Sequence, residues 1–382
     1  MSQHIRPAGV FDTSYDETIA LNRTRLDKLM SYGAFVLLLI VPLLTSQGPL
    51  DLDVIPVKWL GIIIRIAIFA IAVHGLNILL GYTGQISLGH AAFMAVGAYS
   101  SGILVRELGF SFWTALPVAA LFTGIIGLIF GLPSLRVKGF YLAMATLAAQ
   151  FIIPWVIEFP LEDLTNGSNP IEIPVPTLFG FRFENDAAYY YIVIPLAVLL
   201  FLFARNVIRT RVGRAFISIR DNDLAAELLG INVFSYKLQA FFLSSLYAGI
   251  AGTLMAFNTG NVAIETFQLT LSINLLAMLI IGGAGYPLGA LFGVIFVNLL
   301  TETVIPGLLS SGISLFSVTI LPPLRELIPS LLPFIAEVNI IAALNPLLFG
   351  LALAAFLILE PRGIAYRWEI LKIAWKIRPY SY

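Results

Sequence analysis

The sequence predicts an all-α fold, a polytopic helical membrane bundle of about ten transmembrane helices with cytoplasmic N- and C-termini. Three observations predict it. Of 382 residues, 59% are apolar and 12% charged, too little polar surface to cover a water-soluble core. Apolar runs of about 20 residues, the length that crosses a bilayer, recur along the chain. The cations segregate by loop. With the N-terminus inside, 17 Lys and Arg fall in cytoplasmic segments and four (Lys58, Arg106, Arg182, Arg325) in outer ones, as the positive-inside rule expects.

Residues 1–29 form a polar cytoplasmic arm. The apolar run that follows has no small-residue cleavage site and is expected to stay as the first span. Within a transmembrane domain of 30–360, spans are expected at 30–46, 58–80, 87–105, 113–132, 139–157, 188–208, 236–257, 268–284, 287–303 and 339–360. Residues 361–382 form a cytoplasmic tail. Gly285/Gly289/Gly293, Ser245/Gly249, Ala248/Gly252 and Gly127/Gly131 repeat at four-residue spacing. Such small faces let helix backbones approach in lipid. The stretch 304–337 carries Pro306, Pro322, Pro323, Pro329 and Pro333, so short interfacial or re-entrant helices are expected there in place of one helix.

Several function classes are excluded. Lys plus Arg equal Asp plus Glu at 22 each, which offers no field for nucleic acid. The absence of cysteine removes disulfides, thiolate nucleophiles and cysteine-ligated metals. His4, His74 and His90 are too scattered for a metal site. Gly282-Gly283-Ala284-Gly285 lacks the lysine of a phosphate loop. The chain is therefore expected to be no enzyme and to hold no cofactor, and any ATP-driven motor must come from another subunit.

Four places hold the polar chemistry. Arg65 and His74 lie inside the second span on roughly opposite faces, so they are not a pair. Arg65 is expected to snorkel to the outer interface, the alternative being a guide for an anionic group. Gly81-Tyr82-Thr83-Gly84-Gln85-Ile86-Ser87-Leu88-Gly89-His90 reads as a broken start to a helix. Its Thr83, Gly84, Gln85, Ser87, Gly89 and His90 either line a translocation path or make a tight cytoplasmic turn.

The outer loop 158–187 is acidic and turns at Thr165-Asn166-Gly167-Ser168. It is either a solvated loop or a docking surface for an extracytoplasmic protein. In the cytoplasmic loop 209–235, Arg214 and Arg220 lead into Asp221-Asn222-Asp223-Leu224-Ala225-Ala226-Glu227-Leu228-Leu229-Gly230. The Asn or Asp cap, the acidic first turn and the glycine stop predict a helix of about two turns. With its small Ala225/Ala226 face it is too short to stand alone, so it must pack in a cleft of its own bundle or of a partner.

At these motifs the sequence resembles the longer of the two related inner-membrane permeases of ATP-driven branched-chain amino-acid importers. The matching residues are Gly81-Tyr82-Thr83-Gly84-Gln85-x-Ser87-Leu88-Gly89-His90-Ala91 and Lys138-Gly139-x-Tyr141-Leu142-Ala143-Met144-Ala145-Thr146-Leu147. Gly213-Arg214 through Arg220, Ala225-Ala226 and Gly230-Ile231-Asn232 match in the loop. Ala248-Gly249-x-Ala251-Gly252, Gly282-Gly283-x-Gly285 and Glu360-Pro361-Arg362-Gly363 match further on.

The resemblance implies half of a translocation path for leucine, isoleucine or valine. It also implies a second permease subunit, two cytoplasmic ATPase subunits and a periplasmic substrate-binding protein, in a bacterial inner membrane. The loop around Arg214, Arg220, Asp223, Ala225, Ala226, Glu227 and Gly230 would engage the ATPase. Asp223 stands where relatives often carry Glu, and the arm and 304–337 look like additions. Relatives importing urea or short amides are one alternative; an ion-coupled carrier or channel, which needs charged relays inside spans, is another.

Overall fold

Because lipid leaves no backbone group unpaired, apolar runs of this chain become helices. The computed structural model describes residues 38–45, 56–134, 140–178, 181–304 and most of 350–377, with single positions at 33 and 347. Helix α1 (Val57–Leu76) continues as a six-residue π turn, Asn77–Tyr82. Then follow α2 (His90–Arg106), α3 (Phe112–Ser134), α4 (Phe140–Glu158) and the short α5 (Glu162–Thr165). Helix α6 (Asp186–Arg209) leads to α7 (Arg211–Asp221), α8 (Asp223–Leu228) and α9 (Val233–Thr259). The order closes with α10 (Leu269–Gly282), α11 (Gly289–Leu299) and α12 (Ile364–Ile377).

Among the described residues, five helices are long and apolar enough to cross a membrane: Val57–Tyr82, Phe112–Leu132, Tyr141–Glu158, Asp186–Arg209 and Val233–Thr259. The spans expected at 268–284 and 287–303 correspond to two shorter apolar helices, α10 of 14 residues and α11 of 11 residues continued by a second π turn, Leu300–Val304. Gly283 at φ +107 and Gly285 at φ +84 bend the chain between them, a backbone that side chains disfavour. The expected arm 1–29, the insertion 304–337 and the last expected span fall wholly or mainly outside the described residues, as do Arg136 and Lys138; of the first expected span, 30–46, residues 33 and 38–45 are described, with a 3-10 turn at Val41–Leu44.

The outside of the bundle is apolar. On α3, Val118, Leu121, Phe122, Ile125, Ile129 and Leu132 are exposed at helical spacing, which suits a lipid face. Trp59, Trp113 and Trp155, also exposed, sit where α1 and α3 begin and α4 ends, as in an interfacial aromatic belt. The chain is an all-α, multi-pass membrane protein.

Inside, α9 is the central helix, packed on α1, α2 and α3. The expected small faces make these contacts. A Cβ on Gly249 would lie 2.6 Å from Thr123 Oγ1, Gly97 faces the Gly249 carbonyl, and Gly252 faces that of Met94. Gly293 and Gly289 let α11 close on α10 in the same way. Polar side chains add links: Tyr247 Oη donates to the Leu200 carbonyl (2.7 Å) and Thr253 Oγ1 to that of Gly97 (3.1 Å).

Four two-residue strands modify the all-helical expectation. Ile171–Glu172 pairs antiparallel with Asn261–Val262, and Thr177–Leu178 with Phe181–Arg182. The first ladder ties the 158–187 loop to the α9–α10 connection.

Candidate functional site: the broken helix and the loop beneath it

After Tyr82 the chain leaves the helix but not the protein. Thr83, Gln85, Ser87 and His90 are all 3% exposed or less. His90 Nε2 donates to the Ala72 carbonyl (2.9 Å). Since Ala72 lies ten residues before Tyr82, the 83–89 segment climbs about 15 Å back along α1 before α2 begins. It is a re-entrant stretch at the depth of the bundle.

Non-helical backbone at this depth must be satisfied by protein. Thr83 Oγ1 donates to the Leu79 carbonyl, and Gln85 Nε2 to Thr83 Oγ1 (3.0 Å). Leu88 N–H donates to Thr146 Oγ1 (3.0 Å). The first turn of α2 has its orphan donors filled from two other helices: Ala91 N–H by Ser272 Oγ (2.8 Å) and Ala92 N–H by Gln150 Oε1 (3.1 Å). Ser272 Oγ also donates to Gln150 Oε1 (2.8 Å), whose Nε2 donates to the Phe267 carbonyl (2.8 Å). Ser87 Oγ and Gln85 Oε1 are buried without a hydrogen-bond partner. The sequence reading missed Thr146, Gln150 and Ser272. A glutamine inside an apolar run was the available signal.

At the same end of the bundle, α7 and α8 are joined by Asn222. Its Oδ1 accepts from Ala225 N–H (3.0 Å) as the expected cap, and Gly230 at φ +84 stops the helix. Ala226 is buried against its own chain at 1% exposure, whereas Ala225 and Glu227 are exposed. Leu224, Leu228 and Leu229 point outward at 61%, 82% and 82% exposure. Asp223 meets Lys237 of α9 (3.4 Å), and Arg214 is exposed on α7. Arg220 turns inward and donates to the Gly81 carbonyl (3.0 Å).

At the opposite end, Asn166 at φ +61 and Gly167 at φ +59 form the expected turn. Asn166 and Ser168 are exposed, and Thr165 and Gly167 buried. Ser168 Oγ donates to Glu158 (2.8 Å), and Thr165 Oγ1 to the Ile157 carbonyl (2.6 Å). The guanidinium of Arg65, a side chain 51% exposed, is ion-paired with Glu302. His74 is separate from it, with Nδ1 on the Ala70 carbonyl and its ring edge-on to Phe201.

The profile of the family described as Branched-chain amino acid transport system / permease component matches residues 59–336. The high-affinity branched-chain amino acid transport system permease protein LivM of Escherichia coli is 33% identical over 68% of this chain, and so is LivM of Salmonella typhimurium. The match spans 64% of the length of those two relatives. The nucleoside ABC transporter permease protein NupC of Lactococcus lactis is 24% identical over 59% of this chain and 74% of its own. No solved structure matches significantly. With the family profile covering well over half of its length, the chain belongs to the branched-chain amino acid transport system permease component family.

Proposed function

We propose that this chain is the permease subunit of an ATP-driven importer in a bacterial inner membrane. It forms half of a translocation path for leucine, isoleucine or valine, beside a second, homologous permease. Two cytoplasmic ATPase subunits drive it, and a periplasmic binding protein delivers the substrate to the face carrying Asn166 and Ser168. In this reading the chain makes about ten crossings, with both termini cytoplasmic.

The observation that carries the reading is α8. A six-residue helix, capped by Asn222 and pinned by Lys237, holds Leu224, Leu228 and Leu229 outside the bundle among exposed charges. Three exposed leucines on so short and rigid a helix suit the cleft of a soluble partner better than water. The segment 83–89 is the moving wall of the path. Its Leu88 N–H is held by Thr146 of α4, and its two unpartnered oxygens, on Gln85 and Ser87, sit where a rearrangement would use them.

Reconstitution in proteoliposomes with the partner subunits tests this. ATP inside should drive accumulation of labelled leucine, isoleucine and valine, but not of urea or adenosine. Urea or nucleoside uptake would reassign the substrate. Uptake driven by an ion gradient without the ATPase subunits would replace the importer by a secondary carrier.

A further inference from the structure

Arg220 is the last basic residue of α7 and stands three positions before the start of the helix that presents the exposed leucines. Its guanidinium is shared between two groups. Nε and Nη2 donate to Asp221 Oδ1 at 3.1 and 3.0 Å, and Nη1 donates to the Gly81 carbonyl at 3.0 Å. That carbonyl lies in the π turn where α1 gives way to the re-entrant segment, a helix end whose carbonyls lack intrahelical donors. π turns are frequent where helices change shape in function.

The side chain also lies along the first residues of the segment itself. A Cβ on Gly84, at φ +71, would be 3.3 Å from Arg220 Cγ and 3.6 Å from its Cα. A third piece of chain closes the cluster. A Cβ on Gly285 would be 2.9 Å from Arg220 Nη1. Asn77 Oδ1 accepts from Gly285 N–H (2.8 Å), and Asn77 Nδ2 donates to the Tyr286 carbonyl (3.0 Å). One guanidinium thus stands between the end of α7, the start of the 83–89 segment and the α10–α11 turn.

We propose that Arg220 is a positioning residue that carries displacement of α8 into the re-entrant segment 83–89, so that its loss uncouples ATP turnover from transport. This rests on the importer reading above. Asn222 is the single residue between α7 and α8, so a push on α8 moves the last turn of α7 and, with it, Arg220. Its partner is a backbone carbonyl at the unwound end of a helix, and a shift there changes where the segment starts. Lysine would keep the charge but lose the planar fork that holds carboxylate and carbonyl together.

The test uses the complete transporter in proteoliposomes, with labelled leucine and ATP hydrolysis read in the same vesicles. Retention of the ATPase subunits on the tagged permease is measured alongside. Arg220→Gln should keep those subunits and at least about half of the hydrolysis while uptake falls about tenfold, within the range of single coupling residues. ATP consumed per leucine should then rise at least about fivefold, with Arg220→Lys intermediate. Asp221→Ala, at a largely exposed carboxylate that only orients the guanidinium, should raise the ratio about threefold.

An unchanged ratio in Arg220→Gln overturns the proposal, whether uptake and hydrolysis stay normal or fall in proportion. If that chain fails to accumulate, an unchanged ratio in Asp221→Ala overturns it equally. A native complex without ATP-driven leucine uptake overturns the importer reading itself, and this inference with it.

Discussion

Arg65 of α1 forms an ion pair with Glu302, 237 residues further along the chain, at the end of the bundle opposite Arg220. The two side chains are 51% and 31% exposed, so solvent screening keeps the contribution below about 1 kcal/mol. The pair links the π turn after α11 to α1. Arg65→Glu should lower the thermal midpoint in detergent by a few degrees, and adding Glu302→Arg should restore at least half of the loss. A double variant worse than either single one rejects the pairing. Arg65→Lys should leave uptake near normal.

The proposed sidedness rests on the distribution of cations and is cleanly testable, because no cysteine is present. Asn166→Cys should react with an impermeant thiol reagent in intact spheroplasts. Glu227→Cys should react only after the membrane is opened. The reverse pattern inverts the topology.

Gln150 holds three groups of the polar cluster at once. Gln150→Leu leaves the Ala92 N–H and the Phe267 carbonyl buried without partners, at about 1–3 kcal/mol each. It should therefore destabilise the protein by about 2–6 kcal/mol in total, with Ser272→Ala milder. Equal thermal midpoints for Gln150→Leu and the native chain would contradict this geometry.

Ala226 and Leu228 should separate folding from docking. Ala226→Trp overfills a buried site and should cost about 1–3 kcal/mol of stability. Leu228→Asp changes a side chain that is 82% exposed and should leave the thermal midpoint alone. Recovery of ATPase subunits on the tagged permease should fall for Leu228→Asp about tenfold, the scale of one lost apolar anchor. Undiminished recovery would place the docking face elsewhere.

The contact of Arg220 with the re-entrant segment can be trapped. A Cβ on Gly84 would lie 3.8 Å from the Cβ of Arg220, the mean separation across a disulfide. Gly84→Cys combined with Arg220→Cys should lose both free thiols on mild oxidation and remain monomeric. Gly109→Cys with Arg220→Cys, at opposite ends of the bundle, should keep both.

Much of this protein was legible from residue order. Hydropathy runs depend on local composition, so α1, α3, α4, α6 and α9 fall within a few residues of their expected positions. Caps are local too: Asn222 and Gly230 bounded α8 as their side-chain and backbone chemistry requires. The small-residue spacings marked the close helix contacts, because a missing side chain is visible in sequence whatever it faces.

Which partner each group would meet was not legible. Gln150 and Ser272 lie 122 residues apart in sequence, and only packing brings both to the first turn of α2. Composition at Ala225-Ala226 announced a small face, but the rotation of α8 about its axis decided that Ala226 is buried and the leucines exposed. Arg65 and Glu302 are distant in sequence, and Arg220 reaches a carbonyl 139 residues before it. Periodicity, capping and hydropathy act within a turn or a span, so sequence alone determined the helices, their ends and their apolar exterior. Hydrogen bonds and ion pairs between spans depend on how helices rotate and slide against one another, and that was decided by the tertiary structure.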